Sequence, residues 1–136
     1  MSTPTVVTSY HEAAHSVIGS KFGFQTRKID LNDNGSGRVY FKRSRDDPEK
    51  VIMTLMAGAA AELVMLRKGY DTLACDEDRT QWRSAAERLP ADKRQDWEER
   101  LWVETCKLVH QHRAAIEHLA VSLQIDHELA KQLTGA

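Results

Sequence analysis

Thr3-Pro4-Thr5-Val6-Val7-Thr8-Ser9-Tyr10-His11-Glu12-Ala13-Ala14-His15-Ser16-Val17-Ile18 lies at the start of the sequence, and Gly23 follows shortly after. Thr3 is a candidate N-cap, Pro4 suits the first helical position because its missing N–H would have no partner there, and Gly23 is a stop. Val6, Val7, Tyr10, Ala14, Val17 and Ile18 recur at spacings of three and four. The stretch is therefore expected to form a helix from about 5 to 22 with one face buried.

Inside that helix sits His11-Glu12-Ala13-Ala14-His15. A spacing of four places both imidazoles on one helical face, one turn apart, where they can hold a single zinc ion. Glu12, beside the first histidine, is placed to serve as a general base towards a water whose acidity zinc raises. With six histidines and ten glutamates in 136 residues, a shuffled chain would contain H-E-x-x-H about 2% of the time. A catalytic zinc site needs a third protein ligand and one open position. Glu62, Asp76, Glu77, Asp78 and Cys75 are the downstream candidates, and Glu62 stands among alanines where a buried carboxylate requires a partner. It is a candidate ligand or an acceptor for a ligand imidazole.

Outward from this helix, Thr26 to Leu31 and Arg38 to Arg43 alternate apolar and charged residues across Asn32-Asp33-Asn34-Gly35-Ser36-Gly37. They are expected to form a β-hairpin with one wet face, and an exposed strand edge that could take an extended peptide. Lys42 and Arg43 could equally guard that edge. Asp47-Pro48-Glu49 reads as N-cap, first residue and acidic first turn of a helix running to Lys68 before Gly69. Its Ala57-Gly58-Ala59-Ala60-Ala61 patch permits close backbone approach, so this helix should be central and packed on the first. A third helix is expected to start between Cys75 and Asp78 and end before Pro90. Asp92 is expected to cap a long helix with Trp97, Leu101, Leu108 and Val109 inward, and Ala114 to Leu123 and Asp126 to Leu133 complete a helical tail. The fold class is mainly α with a small β-hairpin, an α+β single domain over 1–136.

Composition narrows the function. Nineteen basic against twenty acidic residues leave a formal charge of -1, without the basic excess of a nucleic-acid binder. No long apolar run suggests membrane insertion, and two cysteines without a C-x-x-C spacing suit a reducing, cytoplasmic setting. Trp82, Trp97 and Trp102 read as packing anchors and Cys75 as a small buried residue. His110, His112, His118 and His127 read as solvated or capping groups.

Taken in order, Tyr10-His11-Glu12-Ala13-Ala14-His15-Ser16-Val17, a strand pair, Met56-Ala57-Gly58-Ala59-Ala60-Ala61-Glu62-Leu63 and Ala74-Cys75-Asp76-Glu77-Asp78 resemble the peptidase domain of FtsH-type zinc metalloproteases. The resemblance covers almost the whole chain. It implies a zincin-type active-site helix, zinc ligands His11, His15 and Asp78, a catalytic Glu12 and a supporting Glu62. The implied activity is hydrolysis of peptide or unfolded protein substrates. Ala14, Ala59 and Leu63 stand where the family usually has glycine, arginine and a second glutamate. The 136 residues contain no G-x-x-x-x-G-K-[ST] phosphate loop. An activity independent of ATP, or a separate delivery or ATPase partner, is the corresponding expectation. The alternative is a non-enzymatic interaction domain on the same scaffold, with or without a retained metal.

Overall fold

The computed structural model describes residues 4–32, 34–42, 47–68 and 73–134. Helix α1 (Pro4–Lys21) is followed by strands β1 (Thr26–Leu31) and β2 (Gly37–Phe41), then α2 (Pro48–Val64), α3 (Leu73–Ala86), a 3-10 turn (Ala91–Lys93), α4 (Trp97–Gln111) and α5 (Arg113–Thr134). The described residues are thus mainly helical, with one two-stranded antiparallel sheet among them. The expected N-cap Thr3 and the stop at Gly69 lie outside the described residues, as do Asp33 and most of the linker after β2.

Helix α2 is the centre of the packing, with α1, α3 and α4 around it and α5 laid on α1. Its alanines are what make this possible: Ala57, Ala59, Ala60 and Ala61 are all fully buried, as are Ile52 and Met56. Small side chains let neighbouring backbones approach while the larger ones fill the gaps between them. Ile18, Val109, Ile116 and Ala120 close the same apolar cluster from α1, α4 and α5.

Asp47 caps α2 as expected, its carboxylate accepting from the Glu49 N–H at 2.8 Å. The helix ends four residues earlier than expected. Arg67 turns into the left-handed region (φ 54) and the Lys68 N–H folds back to the Glu62 carbonyl at 2.9 Å, so the chain leaves the axis before Gly69.

The start of α4 also differs from expectation. Asp92 falls in the 3-10 turn, and α4 begins at Trp97 after a left-handed Asp96 (φ 51). Arg94 spans the interruption: its Nε donates to the Leu89 carbonyl at 2.9 Å, tying the connection to the exit of α3. The two tail segments are a single helix, since nothing between Leu123 and Asp126 breaks it, and Gln124 anchors it by donating to Ser9 Oγ at 2.8 Å.

The hairpin lies against α1. Gly37, Val39 and Phe41 alternate along β2. A Cβ built at Gly19 would fall 2.7 Å from Phe41 Cε1, so this glycine admits the ring. Thr8 donates to the Gly35 carbonyl, and Ser16 and Thr26 share a hydroxyl hydrogen bond of 2.7 Å. These contacts hold the start of β2 beside Glu12, where a Cβ on Gly37 would lie 3.0 Å from Glu12 Cγ.

Candidate metal centre

His11, Glu12 and His15 lie in the middle of α1, Glu62 near the end of α2, and Asp78 two turns into α3. The packing of these helices brings all five together. His11 and His15 are 2% and 6% exposed and Glu12 is 4% exposed. Charged and polar groups this deep require mutual compensation, and each imidazole receives it at Nδ1. His15 Nδ1 lies 2.7 Å from the Thr54 carbonyl oxygen, and His11 Nδ1 lies 2.7 Å from Glu62 Oε2. A carbonyl can only accept, so His15 carries a proton on Nδ1 and turns Nε2 inward; the Glu62 carboxylate does the same for His11.

The inward atoms converge. His11 Nε2 and His15 Nε2 are 3.0 Å apart, and Asp78 Oδ2 lies 2.8 Å from the first and 2.9 Å from the second. Three acceptor atoms that close repel one another unless a positive group lies among them. A proton on one imidazole is the minimal remedy, and a divalent cation is the stronger one. The donor set, two imidazoles and a carboxylate, is one that suits a three-ligand zinc site. Tetrahedral bonds of about 2.0–2.1 Å subtend edges of about 3.3 Å, so the observed triangle opens by a few tenths of an ångström to take the ion.

Glu12 completes the arrangement. Its Oε1 is 3.9 Å from both Nε2 atoms, and its buried Oε2 has no hydrogen-bond partner among the described residues. Burial pushes its pKa above the ordinary 4.5, against the opposing pull of His15, His11 and Arg38. An orphaned carboxylate oxygen beside a cluster of lone pairs is a place for a water or a substrate proton.

The protonation of the cluster follows from the same contacts. Burial works to lower both imidazole pKa values, but hydrogen bonding and charge from Asp78 outweigh it, and both end above 6.5. For Asp78 burial works upward, while His15 and His11 prevail and hold it well below 3.8.

Of the three adjacent acids, only Asp78 is brought to the imidazoles. Asp76 is exposed and pairs with Arg79 at 2.8 Å, and Glu77 is also exposed. Cys75 is fully buried, and its Sγ lies 3.0 Å from Glu62 Oε2, on the far side of His11 from Asp78. His11, Glu62 and Cys75 form a second cluster of potential ligand atoms. There, however, donors meet an acceptor: the His11 N–H and the Cys75 S–H both point to one carboxylate oxygen, so no cation is required.

Sequence reasoning missed two participants. The Thr54 carbonyl is a main-chain atom with no residue-type signal. The hydrogen bond from Cys75 was equally hidden, although the cysteine's position one turn before Asp78 could have suggested it. Gly58 was visible only as part of a small-residue patch. Its role is specific: a Cβ there would lie 2.6 Å from His11 Cδ2, so the imidazole rests directly on the α2 backbone.

Other sequence readings fall elsewhere. Trp82 is buried and donates to Glu98 at 2.8 Å, while Trp97 and Trp102 are half-buried. His110 and His118 are exposed, and His112 and His127 partly so. Among the described residues, no helix is long and apolar enough to cross a membrane. Compared with models of known protein families and with curated proteins, the chain matches none.

Proposed function

We propose that this chain is a zinc-dependent peptidase domain of the FtsH type. On this reading His11, His15 and Asp78 hold the ion, Glu12 is the general base, and an extended peptide or unfolded protein is the substrate. The observation that carries it is the meeting of His11 Nε2, His15 Nε2 and Asp78 Oδ2 within 3.0 Å of one another, next to an unpartnered buried carboxylate oxygen of Glu12.

Zinc, when bound, supplies a Lewis acid for a peptide carbonyl and lowers the pKa of water towards neutrality. The chain's own residues do the rest. Glu12 accepts the proton of the attacking water and returns it to the departing amine. Burial favours this exchange by lifting its pKa towards the working range. Thr54 and Glu62 hold the two imidazoles in the tautomer that leaves Nε2 free. Asp78, whose side chain is 16% exposed against 3% and 8% for those of His11 and His15, marks the side from which substrate arrives. The sheet has two strands, so each has an edge unpaired among the described residues. One of these edges, in a sheet whose β2 begins beside Glu12, can receive an extended main chain by strand addition, which asks for no particular sequence.

The test is hydrolysis of an unstructured protein such as casein by the zinc-loaded domain, with and without chelator. Cleavage that chelation abolishes and zinc restores supports the peptidase. The deep burial of His11 and Glu12 favours a second reading, a non-enzymatic interaction domain that keeps the metal. Protein carrying one zinc per chain that cleaves no unfolded substrate would establish that reading instead.

A further inference from the structure

Helix α3 reaches both ends of the His11 imidazole. Asp78 approaches Nε2 directly, at 2.8 Å. One turn earlier, Cys75 sits on the Nδ1 side: its thiol donates to Glu62 Oε2 at 3.0 Å, the same oxygen lies 2.7 Å from Nδ1, and the sulfur is itself close to the imidazole. Cys75, Glu62 and His11 are 0%, 1% and 2% exposed, so bulk water cannot readily replace a lost donor in this chain of contacts.

We infer that Cys75 is a positioning residue of the metal centre, whose thiol fixes the Glu62 carboxylate on His11 Nδ1 and thereby aims Nε2 at the ion; this rests on the metal-site reading above. The physical reason is geometric. A carboxylate can rotate about its last bond, and one oxygen shared by two donors from different elements, α1 and α3, is restrained in both position and torsion. The same restraint couples the first turn of α3 to α1, which keeps Asp78 in register with the imidazoles. Thiol chemistry as such is not involved. The sulfur is fully buried, and it acts here as a small donor whose weak S–H suffices in the absence of competing water.

The test compares wild type with Cys75→Ser, which keeps a donor, and with Cys75→Ala and Cys75→Val, which remove it with and without loss of bulk. Zinc affinity is measured by competition with a chromophoric chelator, and the ligand field by the visible spectrum of the cobalt-substituted protein. Thermal melts in chelator report any purely structural damage. Outer partners of ligand histidines are worth 10–100-fold in affinity, so a residue one contact further out is expected to be worth about 5- to 10-fold. Both donorless variants should show that loss and an altered cobalt spectrum, while the serine variant stays within about twofold of wild type.

Equal affinities and spectra across all four proteins would overturn the inference while leaving the metal site standing. An affinity loss that follows the chelator melts, with the serine variant as weak as alanine, would reduce Cys75 to packing. A sulfur-to-cobalt charge-transfer band in the wild type would make it a ligand and overturn the positioning role. A wild type that binds neither ion overturns the metal reading and this inference together.

Discussion

His15 Nδ1 and the main-chain oxygen of Thr54 are 2.7 Å apart, which makes the backbone of α2 the tautomer lock of a histidine on α1. Thr54, Gly58 and Glu62 lie at successive turns of α2. The first holds His15, the second seats the His11 ring and the third holds its Nδ1. The two helices run in opposite directions at this contact, so a four-residue step on one matches a four-residue step on the other. Helix packing and site construction are one event here.

Glu12→Gln is expected to abolish proton transfer while leaving the ligand atoms in place. The amide keeps the size of the side chain and cannot accept the water's proton. General-base removal costs about 10²- to 10⁴-fold in rate, read as casein cleavage, with zinc content unchanged within error. Full activity in this variant would remove Glu12 from the mechanism.

Gly58→Ala is expected to damage both stability and metal binding. The new methyl would fall 2.6 Å from His11 Cδ2, and overpacking of this kind costs about 1–3 kcal/mol. Neither ring nor helix can yield without disturbing the Nδ1 contact to Glu62. Denaturant unfolding in chelator gives the stability term, and zinc titration the binding term. An alanine variant with wild-type values of both would mean that α1 and α2 are not packed this closely.

Proton and metal compete for the same lone pairs, and the sign of the competition follows from the shifts. His11 and His15 lie above 6.5, burial being outweighed by the Asp78 carboxylate. Such groups contribute stability that is complete below the unfolded pKa and lost as pH rises through the folded one. Glu12, raised above 4.5 mainly by burial, acts in the same direction. Asp78, lowered from 3.8 because the imidazoles outweigh its burial, contributes stability present above that value and lost as pH falls through its folded one. The metal-free domain should therefore lose thermal stability as pH rises above about 6.5. Added zinc should raise Tm by a margin that grows over the same rise, because deprotonated imidazoles bind it. Parallel melting curves with zinc and with chelator, from about pH 5 to about pH 9, would disconnect these histidines from the metal.

The sequence made the frame of the site readable because its signals are side-chain identities at fixed helical spacings. His11 and His15 at a separation of four, and a glutamate among alanines at 62, point to the cluster from sequence alone. The parts that stayed hidden have no such signal. Thr54 acts through its backbone, and Asp78 was separable from Asp76 and Glu77 only by resemblance until the rotation of α3 was known. The start of α4 differs from the Asp92 expectation because Asp92 enters a 3-10 turn and the helix begins only after the left-handed Asp96. Across that interruption the Arg94 side chain bonds back to the Leu89 carbonyl, a side-chain to main-chain contact that residue spacing alone does not reveal. The tail, expected as Ala114 to Leu123 and Asp126 to Leu133, is one continuous α5, in which the Gln124 amide binds Ser9 across to α1.

The most direct test of the account is the metal content per chain of tag-free protein, by elemental analysis, for wild type and Asp78→Ala. Near-stoichiometric zinc in the wild type and a large loss in the variant are expected, since Asp78 Oδ2 is the one carboxylate oxygen within 3 Å of both Nε2 atoms among the described residues. A wild type that takes up no divalent metal even when zinc is supplied would contradict it, leaving His11, His15 and Asp78 as a buried, proton-bridged ion pair.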